Sequence, residues 1–504
     1  MSGQRTRSVP VLLAGGGLVG LTTALLLRQH GVEVTLVEKR ATTSAQPKAR
    51  RFHTRSMEVF RELGLAATVH DAAKDLVGHD HMAAGRTLAE AERLPLWSPP
   101  GSAEAEADIS PEPPTLIAQD LLEPVLRAAA VDAGASVRFQ TELTAFDQRD
   151  DGVVVELVDH GRGERESLRA QYLVAADGAR SRGREALGIT GSGRGAVGAP
   201  TVSAYFRADL GEVVRGREFN LCHISHPAAP GVLASVDGRH RWVYMGPDGL
   251  DHDWPALLRT ALGVPAPELE VLSLMRWRAE MLVADRFRAG RVLLAGDAAH
   301  VMPPFAAAGA NTGILDAHNL AWKLAAVLSG RAGPGLLDSY DAERRAAGWF
   351  AADQSTRRTA GFADPTAAAD PTLAHPYVLA GGRFRYPAGA LVLGPDDVAD
   401  AEPVTEYAPA VRVGTPLPHR WLDAARTRST VDLAGPGWAL LSGGPTAATA
   451  VEDLPVHAVE LDGLPPGRCA LVRPDQVVAW RGDDPATATR VRADLLAAPV
   501  TVSG

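Results

Sequence analysis

The stretch Val9-Pro10-Val11-Leu12-Leu13-Ala14-Gly15-Gly16-Gly17-Leu18-Val19-Gly20 decides the fold. Its first six residues are a short apolar run, suited to a buried parallel strand. Gly15-x-Gly17-x-x-Gly20 follows at once, and Leu21–Gln29 reads as an apolar helix. The order is strand, glycine turn, helix, which is the context a dinucleotide fingerprint needs. Gly15 permits the tight turn, Gly17 lets a pyrophosphate approach the backbone, and Gly20 lets helix pack on strand. The helix N-terminus then offers free N–H groups and a partial positive charge to phosphate. Downstream, Val32–Val37 reads as a second strand that ends in Glu38. A carboxylate there accepts both hydroxyls of an adenosine ribose and repels a 2′-phosphate. FAD and NAD both satisfy this much.

Composition narrows the classes. The chain has 504 residues, 46% hydrophobic and 22% charged, so it reads as an ordinary globular protein of roughly three domains. Its 50 Gly and 36 Pro have no period, which excludes collagen-like and low-complexity readings. Lys+Arg 51 against Asp+Glu 60 leaves a net charge of −9, so a nucleic-acid partner is not expected. Cys222 and Cys469 lie far apart in no metal-ligand spacing, which excludes a disulfide framework and a cysteine zinc site. The uncharged run Val9–Leu27 superficially resembles a signal peptide or membrane span, but three successive glycines at its centre make a poor spanning helix. A cytoplasmic protein without a membrane partner is the expectation.

Two later motifs choose the flavin. Tyr172-Leu-Val-Ala-Ala-Asp177-Gly-Ala-Arg180 is a strand running into an Asp-Gly turn. Arg291-Val-Leu-Leu-Ala-Gly296-Asp297-Ala-Ala-His300 is a strand ending in Gly-Asp. It continues through Pro303-Pro304-Phe305-Ala-Ala-Ala-Gly309-Ala310-Asn311-Thr-Gly313 into a helix over Ile314–Leu328. Asp297 is suited to accept from a ribityl hydroxyl. The Gly309–Gly313 turn puts a helix N-terminus where a reduced flavin carries negative charge.

These three motifs, in this order, resemble the class A flavoprotein monooxygenases, the para-hydroxybenzoate hydroxylase group. Pro47-Lys48-Ala-Arg50-Arg51-Phe-His-Thr-Arg55, Gln119-Asp-Leu-Leu-Glu-Pro-Val-Leu126 and Asp316-Ala-x-Asn-Leu-Ala-Trp-Lys323 extend the likeness over residues 9 to about 355. Gly414-Thr-Pro-Leu-Pro-His419, Asp432-Leu-x-Gly435 and Leu471-Val-Arg-Pro-Asp475 resemble the tail of the polyketide and phenol hydroxylases. The resemblance implies an α/β chain with a Rossmann-like FAD-binding domain (1–79, 110–185 and 284–385), an inserted antiparallel-sheet substrate domain (80–109 and 186–283) and a thioredoxin-like C-terminal domain (386–504). It assigns cofactor contacts to Gly15, Gly17, Leu18, Val19, Gly20, Glu38, Lys39, Lys48, Arg50, Gln119, Asp177, Asp297, Pro304, Gly309, Ala310 and Asn311. It implies FAD with NADPH or NADH, O₂ adding at flavin C4a as a hydroperoxide, and hydroxylation of an aromatic, polycyclic polyketide by a monomer or homodimer. The chemistry is borne by the flavin, so no protein catalytic dyad and no metal are expected.

Several residues read two ways. His300 is expected to pack beside Asp297 rather than act as a base, and His79-Asp80-His81 lacks a third metal ligand. Arg383-Phe-Arg385-Tyr386 reads as an exposed basic patch or a steering cluster for a phenolic substrate. Trp242, Tyr244, Trp277, Phe219 and Met281 read as core, some of them lining an aromatic pocket. Ser98–Asp108 has the composition of a mobile lid, and Thr356–Pro376 that of a connection. Ala306 and Ala307 stand where the resembling family usually has glycine. The alternatives are Baeyer–Villiger oxygenation of a ketone and a catalytically silent flavin or ligand binder.

Overall fold

The computed structural model describes residues 7–94, 109–249, 253–264, 268–363, 372–379, 382–394, 397, 409–445 and 450–497. The expected first strand is Arg7–Ala14, and it lies at the centre of a sheet. Parallel neighbours flank it: Val34–Glu38 on one side, with Leu13 opposite Leu36, and Glu164–Ala175 on the other, with Leu13 opposite Val174. Ser136–Phe139 and Val292–Leu294 extend the sheet in parallel, one beyond each of these neighbours. Strands buried on both faces read as apolar runs, which is why Val11, Leu12 and Leu13 are fully buried. The helix Leu18–Gln29 covers one face together with the helices Gln119–Asp132 and Ala308–Leu328. The hairpin Gly152–Asp159 and Glu164–Ala175 turns at 161–163 as its glycines require.

A second sheet stands beside the first. Its order is His300–Val301, Glu270–Ala284, Gly191–Arg207, Arg241–Pro247, Gly231–Ser235, Leu221–Ile224, Met82–Gly85 and Glu92–Arg93. All its pairs are antiparallel except Leu221–Ile224 with Met82–Gly85. Trp242, Tyr244 and Phe219 are core residues behind this sheet, as expected, while Trp277 faces the other way.

The C-terminal region forms a five-stranded mixed sheet. Leu454–Val459 runs parallel to Ala439–Gly443, and Cys469–Val472 and Val478–Gly482 form an antiparallel pair closed by the helix Pro485–Ala497. The thioredoxin-like expectation is consistent with this arrangement. Cys222 and Cys469 are buried and free.

Buried charge joins this region to the rest. Arg473 donates from both terminal nitrogens to Glu343 at 2.8 Å and from Nη2 to Asp475 at 2.5 Å. Lys323 donates to Glu343 at 2.8 Å, and Asn319 donates to Glu343 and to Asp475. Arg55 donates to Gln476 Oε1 and to the Asp475 carbonyl. Arg473, Glu343 and Lys323 are wholly buried, so each charge depends on the others for compensation.

Two expectations are corrected here. Arg383, Arg385 and Tyr386 are not an exposed patch; all three are buried. Arg383 donates to Glu58 at 3.1 Å, Arg385 to the Asp397 carbonyl at 2.7 Å, and Tyr386 OH accepts from Arg344 at 3.0 Å. Alternating Arg and aromatic residues look amphipathic in sequence, but the partners that neutralise them are supplied from far along the chain. The connection expected at 356–376 begins later, because the helix Asp338–Ala363 runs through its first eight residues. The lid expected at 98–108 lies outside the described residues.

Candidate cofactor and substrate site

The three motifs converge on one cavity of about 2400 Å³ between the two sheets. At its closed end, the glycine loop leaves strand Arg7–Ala14 and enters helix Leu18–Gln29. Gly15 has φ +117°, and a Cβ there would stand 2.1 Å from Ala176 O of the Asp-Gly turn. A Cβ on Gly20 would stand 1.9 Å from Gly15 O. Both positions are fixed by backbone packed on backbone. Gly17 differs: its added Cβ meets nothing nearer than Glu123 Oε1 at 3.5 Å, so bareness at this point leaves space beside the helix N-terminus.

Glu38 caps the loop from the next strand. Its Oε2 accepts from Gly16 N at 2.8 Å and its Oε1 from Arg40 N at 2.9 Å, leaving a lone pair on each oxygen for a diol. Lys39 and Lys48 line the same cavity. Gln119 accepts from Ala49 N at 3.2 Å and donates to Glu123 Oε1 at 2.7 Å, so it fixes the loop before the segment Arg51–Phe52. Arg50 bridges to the substrate sheet, donating from Nη1 to Ser235 O at 2.6 Å. Burial pulls its guanidinium down to about 10.

On the opposite wall, Asp177 Oδ2 accepts from Gly183 N at 3.1 Å while its Oδ1 is buried with no partner. Asp297 is exposed to the open cavity, at its deep end. Desolvation at that depth raises its carboxyl above the ordinary range, opposed by the charges of His300 and Lys48. His300 is packed behind Asp297, as expected: its Nε2 lies 2.7 Å from Asp316 Oδ2. Asp316 also accepts from Gly296 N at 2.9 Å and from Arg344 Nε at 2.8 Å. This buried carboxylate therefore sets the backbone that presents Asp297.

Pro304, Gly309 and Ala310 reach the cavity where helix Ala308–Leu328 begins. An added Cβ at Gly309 meets only Met302 at 3.7 Å, so the space in front of it belongs to the cavity. Ala306 and Ala307 both have left-handed backbones, at φ 56° and 52°. Without glycine, this conformation costs about 1–2 kcal/mol per residue. Side chains hold it in place. Asn311 Nδ2 donates to Ala307 O at 2.7 Å, and His53 Nε2 donates to Ala306 O at 2.9 Å. Asn311 also donates to Arg51 O and accepts from His53 N and Ser56 Oγ. Its side chain is thus fully committed within the protein.

Of the sixteen residues expected at the cofactor, only Gly20 and Asn311 do not line the cavity. Gly20 serves by packing and Asn311 by holding the loop. Glu123 and Asp316 were not singled out in the sequence. Glu123 is almost fully buried, accepts from Ser44 N at 2.6 Å and takes the Leu18 N–H as well. Its signal was its place one helical turn after Gln119.

The remaining wall is the inner face of the second sheet, with Val232, Ala234, Val243, Met245, Met275 and Trp277. A nucleotide cradle that shares its cavity with an apolar sheet face defines a flavoprotein oxidoreductase with its substrate held against the flavin end. The orphaned acceptor on Asp177 and the open space at Gly17 and Gly309 fit FAD. Residues 8–355 match the FAD binding domain family and residues 410–499 the aromatic-ring hydroxylase C-terminal family. The chain belongs to this family of FAD-dependent aromatic-ring hydroxylases. It is 40% identical over 521 aligned residues to tetracenomycin B2 monooxygenase-dioxygenase of Streptomyces olivaceus, covering 94% of this chain and 95% of that one. It is 39% identical to aklavinone 12-hydroxylase of Streptomyces peucetius, covering 86% and 91%. The solved complex of aklavinone-11 hydroxylase with FAD and aklavinone superposes with a TM-score of 0.84 at 32% identity, covering 98% and 99%. The chain is accordingly a flavin monooxygenase. No helix among the described residues is long and apolar enough to cross a membrane.

Proposed function

We propose that this chain uses NADPH or NADH and O₂ to hydroxylate a polycyclic aromatic polyketide. One observation carries the reading: a single cavity joins the FAD cradle to a broad apolar wall, and its volume of about 2400 Å³ is well above that of a site for one small ligand. FAD, when bound, supplies the redox chemistry that turns reducing equivalents and O₂ into a ring hydroxyl. The protein's share is position and exclusion of water. The phosphate loop and Glu38 hold the adenosine end. Lys48, Asp177 and Asp297 meet the middle of the cofactor, and the amides of Gly309 and Ala310 face its ring end. Val232, Val243, Met245 and Trp277 present a dry wall to a flat apolar substrate. The relatives named for tetracenomycin and aklavinone support a fused-ring polyketide as the substrate class.

The same reading places the protein in the cytoplasm as a monomer or homodimer. It assigns residues 1–79, 110–185 and 284–385 to FAD, 80–109 and 186–283 to the substrate, and 386–504 to the C-terminal module. The test is anaerobic reduction of the FAD-loaded protein by NADPH and by NADH, with and without a polycyclic phenol. Reduction that accelerates with the aromatic, followed in air by a product one oxygen heavier with its ring carbons intact, is the expected result. A ring-expanded lactone would instead assign Baeyer–Villiger chemistry, and a flavin that neither nucleotide reduces would assign a silent binder.

A further inference from the structure

The inner face of the substrate sheet is mostly apolar, and the polar side chains that interrupt it include Thr201, Ser203 and a histidine. His223 lies on strand Leu221–Ile224, opposite Ala84 on one neighbouring strand and Val232 on the other. Strand alternation sends Cys222 and Ile224 into the core behind the sheet and turns Leu221 and His223 toward the cavity. Among the described residues of the strands Met82–Gly85, Gly191–Arg207, Leu221–Ile224, Gly231–Ser235 and Arg241–Pro247, His223 is the one ionisable side chain that lines it. Ser203, a polar residue on the same face, accepts from Trp277 Nε1 at 2.8 Å.

His223 is partly buried, and burial pushes its imidazole below the ordinary range. At neutral pH the ring is therefore neutral and keeps a nitrogen lone pair. A positive charge stands beside this strand. Arg50 donates to Asn220 O at 3.4 Å and to Ser235 O at 2.6 Å, the residues that precede this strand and end its neighbour. Its guanidinium makes no ion pair among the described residues, so its charge is available to a ligand in the cavity. On the substrate side the lining also carries the Arg51–Asp80 pair at 3.2 Å, and Arg278 and Glu280, both exposed on strand Glu270–Ala284, while the cofactor side adds Glu38, Lys39, Lys48, Asp177 and Asp297 among its charged groups.

We propose that His223 takes the phenolic proton of the aromatic substrate and that Arg50 favours the phenolate that results. This rests on the hydroxylase reading above. The O–H bond breaks with its electron pair left on oxygen, and the proton forms an N–H bond on the imidazole. The pair on oxygen raises electron density at the ortho and para ring carbons, where the incoming hydroxyl oxygen forms a C–O bond. The C–H bond at that carbon then breaks, its proton leaving to solvent and its electron pair restoring the aromatic ring. The imidazolium then returns its proton to the same oxygen of the product, so His223 ends the turnover neutral.

The experiment titrates the FAD-loaded full chain with alizarin, a hydroxyanthraquinone whose anion absorbs to the red of its neutral form and of flavin. The pH is held where the free dye is mainly neutral. The wild-type protein is expected to bind the dye as its anion. His223→Asn should bind it within about fivefold of the wild-type affinity but leave it neutral. Turnover should fall by about 10²-fold, the low end for a proton-transfer group, and added imidazole should restore part of it in His223→Gly. FAD content and melting temperature of each variant show whether it is folded. A wild-type protein that binds the dye only in its neutral form overturns the proposal without any variant. So does an equal anionic fraction in wild type and His223→Asn. If the dye still accelerates flavin reduction in either of those cases, the hydroxylase reading stands and His223 alone is excluded. If wild-type protein neither binds the dye nor reduces faster with it, the aromatic reading falls and takes the proposal with it.

Discussion

On the cofactor side of the cavity, Gly15 and Gly20 are fixed by backbone oxygens about 2 Å from where a Cβ would stand. On the substrate side, Val232, Val243, Met245 and Trp277 each give one of many apolar contacts. The first side depends on direction, because phosphates are held by N–H groups whose positions the backbone sets. The second depends on area, because apolar contact has no direction and tolerates repacking when volume is kept. A protein built this way can change its substrate by side-chain substitution while the loops that hold the cofactor stay as they are.

The sharpest way to break that contrast is at the loop. Gly15→Ala is expected to leave no measurable FAD on the purified protein, read from the flavin-to-protein absorbance ratio; a normal ratio would show that the backbone contact can yield. The next test asks whether the cofactor side is supported from behind. Glu343→Gln strips the compensation from buried Arg473 and Lys323 and is expected to cost about 3–5 kcal/mol in urea unfolding. Burial opposes ionisation of Glu343, but Arg473 and Lys323 outweigh it and hold its carboxyl below the ordinary range. The unfolded chain therefore takes up the proton first as pH falls below about 4.3, so this contribution is complete above that pH and lost as pH falls further. The acid limb of the stability profile should be shallower in Glu343→Gln.

A third test addresses the apolar wall. Met245→Ala is expected to raise the KM for the aromatic about tenfold, as loss of one buried side chain's contact implies, with FAD content unchanged. A matching loss of FAD would show that the two sides are coupled. The smallest effect is expected at Ala306→Gly. Relief of a left-handed alanine gains about 1–2 kcal/mol, and the freedom glycine adds to the unfolded chain takes back about 0.5–1 kcal/mol. A melting temperature raised by a degree or two is the expected outcome.

What the sequence made legible follows the same division. Gly15, Gly17, Gly20, Glu38 and Asp297 were readable because they belong to motifs with particular residues at fixed local spacing, and all but Gly20 line the cavity. His223 carried no such spacing: a single histidine on a strand acquires meaning only once four other strands present nothing ionisable to the cavity beside it. Glu343 and Arg473 lie 130 residues apart, so neither looked like half of an ion pair. For the same reason Arg383 and Arg385 read as surface, and their burial became visible only with Glu58 and Asp397 in place. The alanines at 306 and 307 were visible as departures, but not the left-handed turn that Asn311 and His53 impose on them.

The buried ion pairs that join the C-terminal region to the flavin helices also constrain how this gene can recombine. A crossover anywhere between residues 356 and 409 separates Arg55, Lys323 and Glu343 from Arg473, Asp475 and Gln476. A chimera made there keeps its interior charges matched only where the second parent supplies the same partners, and otherwise leaves a buried charge uncompensated. The strands between Gly191 and Ala284 hold much of the apolar wall and none of that cluster, so a graft confined to them leaves the buried charges whole.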